Sequence, residues 1–269
     1  MDRLDGFLEE DVGYGDITTE IFVPDVDGKA DVTCESDSVV AGLEEAVTLF
    51  GRHGVKCETY VADGERVKKG AVIMSLSGPL RSIITVERTA LNIMMRMSGI
   101  ATITNDVLTK CRKVNKDIRL SGTRKTTPGF REFEKKAITL GGGDPHRYGL
   151  DDMILIKDNH IKAAGGMRNV IELLRNVSFA KKIEIEAENE EDAVAAARGG
   201  VDIVMIDNAG PAKAKEIADA VRRVNEITIE VSGNITSENA AEYAAFADVI
   251  SMGSLTHSVR AIHFSLNVR

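Results

Sequence analysis

The chain has 269 residues, a formal net charge of -8, 43% apolar residues and 28% charged ones. That length can bury a large core as one α/β barrel or as two domains, and the composition, without a low-complexity tract, excludes a disordered or fibrous protein. The acidic balance argues against broad nucleic-acid binding. No run approaches the roughly 18 apolar residues of a membrane span, and the start Met1-Asp2-Arg3-Leu4-Asp5 lacks the regions of a signal peptide, so a cytoplasmic location is expected. Cys34, Cys57 and Cys111 are widely spaced, with no C-x-x-C, and are expected as buried thiols rather than zinc ligands or disulfides.

Leu4 to Glu10 reads as a short amphipathic helix, and Asp11 to Thr19, with its Gly and Asp residues, as a loop. Ala30 to Cys34, Lys56 to Ala62 and Ala71 to Leu76 suggest strands, with a helix over Gly42 to His53 and a turn at Asp63-Gly64, an α+β unit. The piece Asp63 to Ile73 also resembles the hairpin of lipoyl or biotinyl carrier domains, but no modifiable lysine sits at a following turn. Sheet architecture is the expectation there. Thr85 as N-cap and Glu87 in a first turn place a helix over Val86 to Met97. Met94, Met95 and Met97 are expected as core or subunit contact, and the pattern changes after Gly99.

From there apolar strands alternate with helices. Strands are expected at Ile118 to Thr123, Met153 to Lys157, Lys182 to Glu188, Asp202 to Asn208, Thr228 to Gly233 and Val249 to Gly253. Helices are expected at Phe130 to Thr139, Met167 to Asn176, Glu190 to Arg198, Ala212 to Asn225 and Ser237 to Phe246. Repeated βα units imply parallel strands with right-handed crossovers, as a barrel or an open doubly wound sheet. Polar residues at the strand ends favour the barrel, whose βα loops carry the chemistry. Glu184, Glu186 and Glu188 alternate with Ile183 and Ile185, which places the carboxylates in the barrel interior and demands cations nearby.

Arg119 to Lys162 is a local cationic excess in an acidic chain. Arg119, Arg124, Lys125, Arg131, His146, Arg147, Lys157, His160 and Lys162 are interleaved with Gly-rich turns, a pattern suited to a small, multiply anionic ligand. Opposite them, Glu186 and Asp207 could be an acid/base pair, a Mg²⁺ site, a clamp for sugar hydroxyls, or neutralisers of barrel lysines. Ser232-Gly233-Asn234 and Met252-Gly253-Ser254 follow late strands, where backbone N–H groups can approach a phosphate at a helix N-terminus. No P-loop or Rossmann fingerprint occurs at a strand-to-helix turn. The residues alone therefore point to an α/β-barrel enzyme for a phosphorylated polyanionic substrate with Mg²⁺.

The motifs Glu10-Asp11-Val12-Gly13-Tyr14-Gly15-Asp16-Ile17-Thr18-Thr19, Glu87-Arg88-Thr89-Ala90-Leu91-Asn92, Thr123-Arg124-Lys125-Thr126-Thr127-Pro128-Gly129-Phe130-Arg131, His146-Arg147-Tyr148-Gly149-Leu150, Ile156-Lys157-Asp158-Asn159-His160, Ile206-Asp207-Asn208 and Leu255-Thr256-His257-Ser258 span nearly the whole chain. Together they resemble the quinolinate phosphoribosyltransferase family. The resemblance implies an N-terminal α/β sandwich domain over residues 1–98, rejoined by 256–269, and an incomplete, about six-stranded α/β barrel over 99–255. It implies transfer of phosphoribosyl from phosphoribosyl pyrophosphate to quinolinate with decarboxylation, with Mg²⁺ and no organic cofactor.

It further implies a homodimer or hexamer in which Arg88 reaches the neighbouring site. Arg88, Thr123, Arg124, His146, Arg147 and Lys157 would then bind substrate, with Lys125 and Lys157 facing the diphosphate. Glu186 and Asp207 would hold the ribose hydroxyls and Mg²⁺, and Ser232, Gly233, Asn234 and Gly253 the 5′-phosphate. Many relatives carry Gly where this chain has Asn234, and Asn is expected to preserve the turn because it tolerates left-handed geometry. The alternatives are a related phosphoribosyltransferase for another pyridine carboxylate and a non-catalytic binding barrel.

Overall fold

The computed structural model describes residues 2–269 and divides into two compact units; Met1 lies outside the described residues. Among the described residues the first unit comprises 2–105, 136–142 and 259–269. It begins with α1 (Arg3–Val12), capped by the Asp2 carboxylate accepting from the Leu4 N–H. The expected loop over Asp11 to Thr19 is in part helix: α2 (Ile17–Phe22) starts there because the Asp16 side chain accepts from the Thr19 N–H at 2.9 Å.

There follow β1 (Asp27–Cys34), β2 (Ser38–Val39), α3 (Leu43–Arg52), β3 (Lys56–Thr59), β4 (Arg66–Val67), β5 (Val72–Pro79) and α4 (Leu80–Arg112). The Asp63 to Ile73 hairpin does not pair with itself. Arg66–Val67 joins Ser38–Val39 instead, in a separate two-stranded sheet. The helix expected over Val86 to Met97 is far longer than predicted, 33 residues. Thr85 therefore does not cap it; its hydroxyl donates to Asp16 Oδ2 at 3.0 Å, and Thr89 donates to Asp11 Oδ2 at 3.2 Å.

Gly99 lies inside α4 without ending it. A Cβ there would strike the backbone carbonyl of Arg260, so glycine permits a close approach of the C-terminal segment. Met94 and Met97 are fully buried in this unit's core with Leu49, Phe50, Leu76 and Ile83. Cys34 and Cys111 are buried free thiols, and Cys57 is half-buried, its thiol pushed up to about 11 by burial.

The second unit, residues 106–135 and 143–258, alternates strands and helices. In order these are β6 (Arg119–Ser121), α5 (Arg131–Leu140, whose end belongs to the first unit), β7 (Ile154–Ile156), α6 (Asp158–Ala163), α7 (Met167–Leu174), β8 (Ile183–Ala187), α8 (Glu190–Arg198), β9 (Ile203–Asp207), α9 (Pro211–Arg222), β10 (Thr228–Ser232), α10 (Ala240–Ala244), β11 (Val249–Ser251) and α11 (Ser254–His257). Their six strands run parallel in the order β6-β11-β10-β9-β8-β7, so the curl is open between the last and the first.

Ile185, Val204, Ile229 and Ile250 are fully buried, as are Ala196, Ile217, Ala218 and Val221 of the covering helices. Each such large aliphatic contributes about 1.5–3 kcal/mol on burial. In the first unit, β12 (Phe264–Val268) pairs antiparallel with β1, extending the four-stranded sheet β12-β1-β5-β3.

Candidate active site

The expected functional side chains of the second unit gather where its parallel strands end. After β6 the chain turns through Thr123, whose hydroxyl accepts from the Lys125 N–H at 3.1 Å. The Lys125 carbonyl accepts from Thr256 at 2.8 Å. Two members of the T-R-K-T-T-P-G-F-R run serve the loop itself. Buried Glu134 accepts from the Thr127 N–H at 3.1 Å, and Arg131 donates to Thr126 at 2.9 Å and to the Tyr148 carbonyl at 3.0 Å. Arg124 differs: its Nε is buried and has no hydrogen-bond partner. An unpaired guanidinium N–H is costly unless an acceptor arrives.

His146 and Arg147 follow the 143–145 segment. Buried Lys135 of α5 donates to the Pro145 carbonyl and lies over the Tyr148 ring, which holds this loop to the helix; burial lowers its ammonium to about 8. His146 takes a left-handed backbone, φ 55°. Arg147 is buried and donates to the Met153 carbonyl at 3.3 Å; burial, then the charge of Arg124, holds its guanidinium below the ordinary arginine range. Two arginines close enough to oppose each other's charge, one with an unpaired N–H, suit a planar carboxylate, which guanidinium binds bidentately.

Lys157 directly follows β7 as the N-cap of α6, and its Nζ lies 2.9 and 3.1 Å from the Glu186 oxygens. His160 is occupied locally: its Nδ1 accepts from the Lys157 N–H at 2.9 Å. Asp207, at the end of β9, is raised above the usual carboxylate range by burial first and by Glu186 second. The expectation for the three β8 glutamates holds in part. Glu184 is fully buried and Glu186 largely so, but Glu188 lies beyond the strand end and is exposed. Nor does every buried carboxylate find a close partner, because both Glu184 oxygens lack a hydrogen bond; burial, then Glu230, raises its carboxyl to about 9.

The Ser232-Gly233-Asn234 turn is tied to β9 through Asn208, whose N–H donates to the Ser232 carbonyl at 3.0 Å and whose Oδ1 accepts from Asn234 at 3.1 Å. Gly233 has φ 85°, and a Cβ on it would lie 2.7 Å from the Asn208 nitrogen, so the close approach requires glycine. Asn234 holds φ 53°, the left-handed geometry expected of it. The turn does not enter a helix directly, since α10 begins only at Ala240. Gly253, by contrast, immediately precedes α11, and a Cβ there would lie 3.0 Å from Lys125 Cδ. Lys125 and Gly253 are thus brought together. Arg88 sits on α4 in the first unit, with an exposed side chain 3.5 Å from Glu87.

Glu230 was not expected from the sequence as a site residue. The available signal was a carboxylate inside an apolar strand, two residues before Ser232 and hence on its face. Its partner His146 comes from a distant loop. His146 Nε2 lies 3.4 Å from Glu230 and 3.6 Å from Glu184, and these three groups could also be considered for a metal ion. The sequence placed the metal instead on Glu186 and Asp207, two hard oxygen donors beside each other, and this donor set fits Mg²⁺.

Residues 16–98 match the family described as "Quinolinate phosphoribosyl transferase, N-terminal domain", and residues 100–267 its C-terminal domain. A probable nicotinate-nucleotide pyrophosphorylase [carboxylating] of Methanocaldococcus jannaschii is 42% identical, over 97% of this chain and 94% of its own. The human nicotinate-nucleotide pyrophosphorylase [carboxylating] is 33% identical, over 89% of this chain and 82% of its own. Among solved structures, the nicotinate-nucleotide pyrophosphorylase of Ehrlichia chaffeensis superposes with a TM-score of 0.94 at 30% identity, covering 99% of this chain and 97% of that one.

Proposed function

This chain belongs to the quinolinate phosphoribosyltransferase family, and from that premise we propose how its own residues divide the work. The enzyme is a phosphoribosyltransferase: it transfers phosphoribosyl from phosphoribosyl pyrophosphate to the ring nitrogen of quinolinate with decarboxylation. The products are nicotinate mononucleotide, CO2 and diphosphate, a step of NAD biosynthesis.

The observation that carries the assignment of residues is the Arg124 and Arg147 pair: Arg147 is buried, the two guanidinium charges oppose each other, and the buried Nε of half-buried Arg124 has no hydrogen-bond partner. With Thr123 and His146 it forms the clamp for the dicarboxylate, and Arg88 is contributed by a neighbouring copy. Lys125 and Lys157 face the diphosphate; Ser232, Gly233, Asn234 and Gly253 take the 5′-phosphate.

Attack by the pyridine nitrogen on C1 of the ribose breaks the C1–O bond, and the diphosphate leaves with the electron pair. Positive charge grows at the sugar and negative charge on the leaving group, so Glu186 and Asp207 stabilise the first and Lys125 and Lys157 the second. The ring nitrogen is then cationic. When the C2–carboxylate bond breaks, its electron pair remains on C2, stabilised by that charge until a proton adds there. Mg²⁺ held near Glu186 and Asp207 would supply further neutralisation of the diphosphate. No organic cofactor enters.

Exposed Tyr14, Ile17, Ile21 and Phe22 on and before α2 support a homo-oligomer, since apolar side chains left open in a cluster mark contact surfaces. No described helix is long and apolar enough to cross a membrane, in keeping with the cytoplasmic location we propose. A phosphoribosyltransferase for a monocarboxylate is the competing reading, and calorimetry separates the two. Quinolinate should bind at least about tenfold more tightly than nicotinate, because the second carboxylate adds a charged hydrogen bond; equal affinities would remove the dicarboxylate clamp.

A further inference from the structure

We propose that Glu184 and Glu230, which no step above uses, are positioning residues for His146, holding its imidazole in the tautomer protonated at Nε2 beside Arg147. His146 Nδ1 accepts the Arg147 backbone N–H at 2.8 Å. A ring nitrogen that accepts carries no proton, so the neutral ring's proton resides on Nε2. That nitrogen faces Glu230 Oε1 at 3.4 Å and Glu184 Oε2 at 3.6 Å, distances of electrostatic contact rather than of a tight hydrogen bond.

The carboxyls have few alternatives. Glu184 is fully exposure-free, both its oxygens lack any hydrogen bond, and Glu230 is 2% exposed with the Ser251 hydroxyl donating to it. The His146 N–H faces Glu184 from 3.6 Å, while Arg147 and Lys157 act on that carboxyl through their charge. The left-handed backbone of His146 and its N–H bond to Asp144 Oδ1, 2.7 Å, aim the ring into this cluster. The same geometry disfavours a metal ion among the three, although their ligand atoms lie within 4.8 Å of one another. Metal binding through Nε2 would use the lone pair at that nitrogen, and the proton would have to move to Nδ1, breaking the Arg147 contact.

The kinetic consequence rests on the reading of His146 as part of the dicarboxylate clamp; the tautomer does not. Nitrogen-15 NMR of the full chain labelled at histidine, with His146 assigned through His146→Gln, should show the Nε2–H tautomer. The pattern should persist in Glu184→Gln, which keeps an oxygen of the same reach, and be lost to tautomer exchange in Glu184→Leu and Glu230→Leu. KM for quinolinate should rise about tenfold in Glu184→Leu, with KM for phosphoribosyl pyrophosphate unchanged and Glu184→Gln near wild type.

An Nδ1–H tautomer in the wild type, which needs no variant to fold, would overturn the proposal. So would an unaltered His146 signal in both leucine variants, or its perturbation by added Zn²⁺ with loss of the Arg147 contact. Absence of quinolinate turnover with the Nε2–H tautomer intact would count against the assigned reaction and leave the positioning role standing.

Discussion

The ammonium of Lys157 sits between both oxygens of the Glu186 carboxylate, 2.9 Å from one and 3.1 Å from the other. The pair joins the ends of β7 and β8, and Asp207 of β9 adds a second carboxylate whose protonation burial, then Glu186, favours. Lys157→Met leaves these two acids facing each other without the cation. Steady-state kinetics should show kcat reduced by roughly a hundredfold or more, the scale of removing one preorganised group from a developing charge. A variant within threefold of wild type would exclude Lys157 from the diphosphate side.

Arg147→Ala removes a buried guanidinium from the clamp. Turnover should fall roughly tenfold to a hundredfold, from about 1.5–3 kcal/mol for a charged hydrogen bond. Unchanged quinolinate kinetics would take Arg147 out of the site.

Arg88 is exposed and paired weakly with Glu87. If it acts on a neighbouring copy, mixing inactive Arg88→Ala and Lys157→Ala proteins should restore part of the activity through mixed dimers. No recovery despite demonstrated subunit exchange would argue against a shared site.

Glu184 makes stability depend on pH. Burial, then Glu230, raises its carboxyl from 4.5 to about 9, so between these values the folded protein holds a proton that the unfolded chain has released. Its contribution is therefore full below about pH 4.5 and is lost as pH rises towards 9. Denaturant titrations should show wild type losing ground to Glu184→Gln across that window. A difference that moves the other way would mean the carboxylate is ionised and stabilised in the fold.

Much of the barrel was legible because a buried parallel strand reads as a short apolar run, and Ile203–Asp207 and Thr228–Ser232 fall within a residue of expectation at every end. The extent of α4 was not. The expected helix stops at Met97 and the pattern changes after Gly99, yet the missing side chain of Gly99 admits the Arg260 carbonyl, a contact 161 positions away that no local pattern carries. The pairing of Arg66–Val67 with Ser38–Val39 was hidden for the same reason.

At the site, the cationic motifs were visible as residues, but their division was not. Arg131 and His160 lie in the same stretch as Arg124 and Lys157 and turn out to be spent on Thr126 and on the Lys157 backbone. Only three-dimensional placement separates a guanidinium that binds its own loop from one left with an unpaired N–H.

The central claim is decarboxylating transfer to a dicarboxylate. The direct measurement incubates the purified protein with Mg²⁺, phosphoribosyl pyrophosphate and either quinolinate or nicotinate, following CO2 and mononucleotide together. The account predicts nicotinate mononucleotide and CO2 in equal amounts from quinolinate; product from nicotinate alone, with no CO2 released, would contradict it.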